Sequence, residues 1–343
     1  MNVFITGGTG YIGAHLIKEL ISNGHKVHAL VRSLEKAAPL PKEGLVLFKG
    51  DLSDKERIKE AMKGCDQVYH VAGNTSIWEK DRSKYYTINV DGTRNIVDAA
   101  LENKVKRVVF TSTAGVLGPS YGGIVTELKC RNLDFLVEYE SSKAMAESLI
   151  KSYVIEKNLD AVIVSPTRVF GPVLFGEPAS ITQLISKYTK GKWRIIPGDG
   201  SKIGNYVFVD DVVKGHILAM ANGVKGGTYI LGGENHSYNA FFKILKEESG
   251  LDYRLIKTSI GLQLLYAHLN TFFAILRNKR PAITAKWVHR FKYHWEVSPN
   301  KAVEELQLKI TQERSCCTWY QFDIGVKAHT KLYYLILALA RGL

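Results

Sequence analysis

Short apolar runs recur through the first half of the chain, with amphipathic stretches between them. Val3-Phe4-Ile5 opens the series, and residues 26–31, 45–48, 67–71, 107–111 and 161–164 continue it. Runs of this length, rich in Val, Ile and Phe, read as buried strands. Between the first two, Ile12, Leu16, Ile17, Leu20 and Ile21 repeat at helical spacing, and residues 95–102 and 141–156 carry the same signal. Strands alternating with helices predict βαβ units and a parallel sheet. Crossovers should be right-handed, with ligand at the carboxyl ends of the strands. The expected fold is α/β, a doubly wound Rossmann sheet.

The regularity breaks after Gly171-Pro172. Beyond it come a helix near 181–188, strands at 206–209 and 228–231, and helices from Val212 and Tyr238. The expected division is therefore 1–172 for a dinucleotide-binding domain and 173–343 for a smaller, mixed α/β substrate lobe. No internal repeat or low-complexity tract interrupts either part.

The first strand runs into Thr6-Gly7-Gly8-Thr9-Gly10-Tyr11-Ile12-Gly13. A glycine-rich turn between a strand and a helix is the context that makes this pattern a dinucleotide site. Gly7 permits the tight turn, Gly10 lets the backbone approach a pyrophosphate, and Gly13 lets the helix pack closely. Helix-start amides then face the phosphates. The spacing is G-x-x-G-x-x-G. Gly7, Thr9, Gly10, Tyr11, Ile12 and Gly13 are the expected nucleotide contacts.

The chain has 343 residues, 45% of them hydrophobic, enough for a substantial core. Its net charge of +13 suits anionic ligands or surfaces, but the lysines and arginines are dispersed and form no nucleic-acid motif. Cys65, Cys130, Cys316 and Cys317 show neither a C-x-x-C pair nor a zinc spacing, so no metal site is expected. Reduced thiols and an N-terminus that opens on a strand point to a cytoplasmic protein without a signal peptide. Two apolar stretches, 260–276 and 332–340, are too short for a membrane span. The second, flanked by Lys331 and Arg341, suits peripheral membrane contact through the C-terminal tail.

Tyr-x-x-x-Lys puts a phenol and an ammonium on one helix face, where the phenol can donate a proton to a carbonyl oxygen. A nearby ammonium favours the phenolate. The pattern occurs four times: Tyr139/Lys143, Tyr153/Lys157, Tyr188/Lys192 and Tyr253/Lys257. Position selects the first. It begins the helix joining the fifth and sixth strands and follows Thr111-Ser112-Thr113-Ala114, whose hydroxyls end the fifth strand.

In these features the chain resembles the extended short-chain dehydrogenases/reductases, the epimerase/dehydratase family. The matches run in order: Thr6 to Gly13, Gly50-Asp51-Leu52, His70-Val71-Ala72-Gly73, Asn89-Val90-Asp91-Gly92-Thr93, Thr111 to Ala114, Tyr139/Lys143, Ser165 to Pro172, and Tyr206 to Asp211. The resemblance implies that Thr113 holds the substrate carbonyl, with Ser112 as an alternative, and that Tyr139 is the general acid/base. Lys143 would bind the nicotinamide ribose and lower the tyrosine pKa. Asp51 and Leu52 would contact adenine. Val71, Ala72 and Gly73 would line the cofactor, with Thr111, Pro166 and Val169 among its further contacts.

An acidic residue at the end of the second strand would hold the ribose hydroxyls of NAD. The chain has Val31-Arg32-Ser33 instead, and Arg32 suits a 2′-phosphate, with Lys36 a weaker partner. NADP(H) is expected over NAD(H). Ala114 and Gly115 replace the Asp-Glu pair of dehydratases. Gly204 and Asn205 stand where sugar-nucleotide epimerases commonly place an arginine. The segments Tyr229 to Asn235 and Ser298 to Ala302 resemble the dihydroflavonol-reductase and 3β-hydroxysteroid-dehydrogenase branch, which implies reduction of a ketone or aldehyde on a fairly hydrophobic small molecule. Residues 260–276 would then roof an apolar pocket. A sugar-nucleotide epimerase and a non-catalytic dinucleotide sensor are the competing readings. The family also implies a homodimer formed through helices 89–101 and 141–156. The tail after residue 312 departs from the branch and has no expected place.

Overall fold

The structure is a computed structural model, and it describes residues 1–129, 131–174 and 177–311. The first half alternates as its apolar runs require. Strand β1 (Asn2–Thr6) leads to α1 (Tyr11–Ser22), β2 (Lys26–Val31), a short α2 (Leu34–Ala37) and β3 (Leu45–Lys49). Then come α3 (Lys55–Met62), β4 (Gln67–His70) and α4 (Ser83–Tyr86). A π-helical turn, Thr87–Asp91, joins α4 to α5 (Gly92–Glu102). Strand β5 (Arg107–Thr111), α6 (Glu138–Glu156) and β6 (Ala161–Pro166) complete the unit.

These six strands and β10 (Thr228–Leu231) form one parallel seven-stranded sheet in the order β10-β6-β5-β4-β1-β2-β3. The order reverses between β1 and β4, so the carboxyl ends of those two strands flank the crevice where such sheets bind ligand. Both faces are covered. Leu16, Ile17 and Leu20 of α1 pack with Val212 and Val213 of α8 (Val209–Asn222) and Ala302 and Leu306 of α12 (Asn300–Leu306). On the other face, Ile58 of α3, Ile96 of α5 and Ile150 of α6 meet Phe4, Val68, Phe110 and Ile163. Burial on both faces explains why the strands read as unbroken apolar runs.

Past residue 172 the chain builds β7 (Arg168–Phe170), α7 (Ser180–Thr189), β8 (Ile195–Pro197) and β9 (Ile203–Phe208), then β11 (Glu234–Ser237) and α9 (Tyr238–Ser249). Strand β12 (Ile256–Thr258), α10 (Ile260–Leu276) and α11 (Ala285–His289) follow. Strands β11-β9-β7 make a small mixed sheet, β12-β8 a second, and an aromatic core of Tyr188, Tyr206, Phe241 and Phe242 holds them. The strand read at 228–231 as part of this lobe is instead β10, the edge of the large sheet, and α8 packs on the large sheet's core. Nothing in a short apolar strand says which sheet it will join. Cys130, Cys316, Cys317 and the apolar stretch 332–340 lie outside the described residues. No described helix is long and apolar enough to cross a membrane.

Residues 260–276 form one helix, as their apolar content suggests, but do not roof a pocket. Leu265, Leu269 and Phe272 are exposed, and only Ala267 and Ala274 of this helix are buried. The apolar face of α10 points outward.

Helix α6 carries both Tyr139 and Lys143, so its seating fixes the site. Ile150, fully buried between α6 and the sheet, anchors it. Ile150→Ala should cost about 2–5 kcal/mol in a denaturant-midpoint measurement; a cost below about 1 kcal/mol would show that α6 is seated by other contacts.

Candidate functional site

The turn after β1 is built by backbone contact. Gly7 has φ +75°, and a Cβ there would lie 2.6 Å from the Ala72 amide nitrogen. A Cβ on Gly13 would lie 2.1 Å from the Gly7 carbonyl oxygen. Only glycine fits either position. Gly10 N–H donates to Gly7 O at 2.8 Å, and the first helical bond runs from Ala14 N–H to Gly10 O at 2.9 Å. The amides of Tyr11, Ile12 and Gly13 precede that bond and form the anion-binding start of α1. Thr9 and Ile12 are half-buried in the same turn, and the Tyr11 hydroxyl lies 3.3 Å from Thr182 Oγ1. This cradle fits a dinucleotide pyrophosphate.

A buried histidine ties the turn to β4. Thr93 donates its hydroxyl proton to Asn89 O, 2.6 Å away, so His70 Nε2–H must donate to Thr93 Oγ1 at 3.0 Å. His70 Nδ1 then accepts from the Thr6 hydroxyl at 2.7 Å, and Ala72 N–H donates to Thr6 Oγ1 at 3.3 Å. Burial drives the His70 pKa down to about 3, so one neutral tautomer persists. This chain sets where Val71, Ala72 and Gly73 leave the sheet beside Gly7. Asn89, in the π-helical turn, accepts from Asn74 N–H at 2.7 Å and donates to Ser142 Oγ at 2.8 Å. It joins the loop after β4 to α6, one residue before Lys143.

On the other side of the turn, Arg32 directly follows β2 and is exposed. The Asp51 carboxylate accepts from Ser53 N–H at 2.7 Å and from the Ser53 hydroxyl at 2.5 Å, and these bonds, with Arg32 nearby, hold its pKa below the usual range. Leu52 packs against Gly92, where a Cβ would lie 2.9 Å from Leu52 Cβ. Pro166 and Val169 are buried at the end of β6 and in β7. Lys36 is exposed on α2.

The hydroxyls ending β5 separate by partner. Thr111 Oγ1 lies 2.8 Å from His216 Nε2, on the α8 side. Ser112 donates to the buried Glu147 carboxylate at 2.5 Å. Thr113 is the one hydrogen-bonded to Tyr139. Lys143 is buried, donates to Thr111 O at 2.6 Å and lies 4.5 Å from the Phe110 ring centre. Its ammonium also lies 3.3 Å from where a Gly73 Cβ would stand, so a side chain there would press on Lys143. Thr111 therefore contributes its carbonyl to this arrangement rather than its hydroxyl.

Burial pushes the Tyr139 phenol up to about 12, against the opposing pull of the Thr113 hydrogen bond and the Arg290 guanidinium. The cation acting on Tyr139 here is thus Arg290, whereas Lys143 is turned to the end of β5. Sequence reasoning missed Arg290, Arg131 and Glu140. Glu140 is buried between both guanidiniums: Arg131 Nη2 donates to it at 3.0 Å, and Arg290 Nη1 pairs with its other oxygen. Arg290 also lies 3.9 Å from the Trp295 ring centre. Burial and the neighbouring Arg131 pull the Arg290 pKa down to about 9. Two cations share one carboxylate, leaving positive charge beside the phenol. Nothing local in the sequence joins residues 131, 140 and 290; only the fold does.

The competing Tyr-x-x-x-Lys pairs are used elsewhere. Tyr153 donates to Asp98 at 2.7 Å, and Tyr188 donates to Leu251 O at 2.7 Å. Tyr253 lies beneath the Arg194 guanidinium, 4.1 Å from its ring centre.

A glycine-built phosphate cradle at the reversal of a parallel sheet, with a phenol, hydroxyl and ammonium at the next strand ends, defines a nicotinamide-dependent oxidoreductase of Rossmann fold. Residues 3–232 match the NAD dependent epimerase/dehydratase family, and the chain belongs to it. It is 30% identical to a putative dihydroflavonol 4-reductase of Synechocystis over 311 residues, 89% of each chain. It is 32% identical to the sterol demethylase protein B of Methylococcus capsulatus over 254 residues, 73% of this chain and 75% of that protein. The UDP-glucose 4-epimerase of Thermotoga maritima superposes with a TM-score of 0.76 over 94% of this chain and all of the other. At 21% identity that likeness shows the fold alone.

Burial lowers the Lys143 pKa to about 8 from an ordinary 10.5. Below pH 8 the ammonium is charged in folded and unfolded chains, and its burial penalty stands in full. Between these values the folded protein releases the proton while the unfolded chain keeps it, so stability rises with pH. Lys143→Met removes the penalty. Its melting-temperature advantage over the cofactor-free wild type should be largest below pH 8 and shrink as pH rises toward 10. A pH-independent offset would contradict a buried charged Lys143.

Proposed function

We propose that this chain is an NADPH-dependent reductase of a ketone or aldehyde on a fairly hydrophobic small molecule. The observation that carries the reading is Tyr139, held protonated by burial and hydrogen-bonded to Thr113 at the end of β5. A phenol that keeps its proton at neutral pH is a donor to a carbonyl oxygen. In this reading Thr113 and Tyr139 hold that oxygen between them, and the Tyr139 proton passes to it as the alcohol forms. Positive charge from Arg290 stabilises the phenolate that remains, and the buried site strengthens the effect.

The residues that would hold the cofactor are the amides of Tyr11, Ile12 and Gly13 on the pyrophosphate, Asp51 and Leu52 toward adenine, Val71 to Gly73 along the middle, and Lys143 on the nicotinamide ribose. Bound there, a nicotinamide nucleotide supplies the hydride. Arg32 supports the NADPH preference. It follows β2 at the position where a carboxylate would favour NAD, and Asp51 beside it is already engaged by Ser53. The apolar substrate class is supported by the names of the relatives, a dihydroflavonol reductase and a sterol demethylase protein.

The positions expected to bind a sugar nucleotide are occupied by the protein itself. A Cβ on Gly204 would lie 2.2 Å from Arg168 Nη1. Asn205 accepts from Thr167 at 2.8 Å and donates to Gly233 O at 2.8 Å. An arginine at either position would displace these contacts, which counts against the epimerase reading.

Tyr139→Phe keeps the ring and removes the proton. Turnover of apolar ketones should fall by about 10²–10⁴, with NADPH affinity changed by less than about threefold. Undiminished turnover in this variant would overturn the assignment.

A further inference from the structure

Helix α10 is built inside out. Gln263, Ala267, Asn270 and Ala274 face the protein, while His268 is exposed with the apolar residues. Gln263 donates to Thr258 Oγ1 at 2.7 Å, Asn270 accepts from Ala282 N–H at 2.9 Å, and Ala267 and Ala274 are buried. Its large apolar side chains face out. Leu262, Leu265, Leu269, Phe272, Phe273 and Leu276 recur at spacings of three and four, each between 49% and 67% exposed. A surface helix of a water-soluble lobe shows the opposite pattern, and a contiguous apolar face of this kind marks a binding surface.

The charge around α10 identifies what the surface meets. Between Asp252 and Glu296 the chain contains no acidic residue but holds eight of its lysines and arginines, of which Lys286 and Arg290 are paired with Glu138 and Glu140. Arg277, Lys279 and Arg280 follow α10 directly and are exposed, and Lys257 precedes it, also exposed. Apolar side chains bordered by cations match the acyl boundary and headgroups of an anionic phospholipid bilayer. An apolar face bordered by the exposed cations Lys257, Arg277, Lys279 and Arg280 has no comparable complement in a basic second copy of this chain, whose net charge is +13.

We propose that α10 is a membrane-docking helix that seats this protein on anionic phospholipid. It lies against α11, and the segment after α11 carries Arg290, which pairs with Glu140 beside Tyr139. Through α11, the docking helix thus neighbours the segment that reaches Tyr139, so docking would bring that segment close to the bilayer that an apolar substrate occupies. Contact belongs to α10 in the folded lobe, not to residues 332–340 alone.

The test is flotation of the full chain with phosphatidylcholine vesicles and with phosphatidylcholine–phosphatidylglycerol vesicles. Wild type should float with the anionic vesicles and be released by high salt. The variant Leu265→Asp/Phe272→Asp should bind at least about tenfold more weakly, while its circular dichroism and NADPH binding stay unchanged. Arg277→Gln/Lys279→Gln/Arg280→Gln should lose the preference for anionic over neutral vesicles. Wild type that ignores both vesicles overturns the proposal. So does equal flotation of wild type and the Leu265/Phe272 variant, which would move the contact to another part of the chain. A wild-type dimer that ignores vesicles and becomes monomeric in that variant would assign the face to a second copy. Flotation is read without turnover, so it stands or falls separately from the reductase reading.

Discussion

The architecture depends on one close approach of backbone to backbone. Gly7 leaves β1 with its Cα against the Ala72 amide, and Gly13 brings α1 against the Gly7 carbonyl. A single methyl group at either position would push α1 or the end of β4 away. With hydrogens there, the helix start points its amides into the crevice where the strand order reverses. The Thr6–His70–Thr93 chain then locks the neighbouring strand end at the same level. Because His70 is neutral, the lock does not titrate near neutral pH.

From that fixed edge the chemistry is assembled one strand further along. Strand β5 pairs with β4 and presents Thr111, Ser112 and Thr113 in succession. Thr111 closes β5 facing α8, and Ser112 and Thr113, just past the strand end, turn toward α6. Helix α6 returns across that end and brings Tyr139 to Thr113 and Lys143 to the Thr111 carbonyl. The phenol is enclosed, which keeps its proton on. In the proposed reaction, the guanidiniums of Arg131 and Arg290 would offset the charge of the phenolate left when the proton leaves. Removing Glu140 would leave two guanidiniums without their shared counter-charge, at a cost of about 3–5 kcal/mol, so the carboxylate also holds the lobe segment carrying Arg290 against α6.

Much of this was legible in the chain. The glycine turn, the parallel strands and the Tyr139/Lys143 pair all rest on local spacing, and local spacing survives folding. Position in the strand–helix order was enough to separate Tyr139 from three other tyrosines with the same neighbour spacing. What could not be read depended on distance in sequence. Strand β10 joins β6 across more than sixty residues. The Glu140 triad joins three segments, and the cation nearest the phenol in effect came from the far lobe. Residues 260–276 read as a roof over an apolar pocket, yet the large apolar side chains of α10 are exposed: an apolar stretch does not state which way its apolar face turns.

The most direct test of the account is a titration of purified protein with NADPH and with NADH, followed by nicotinamide fluorescence. The account predicts saturable binding of both, with NADPH bound more tightly through Arg32. Folded protein that binds neither nucleotide would contradict the site at its foundation, the glycine turn between β1 and α1.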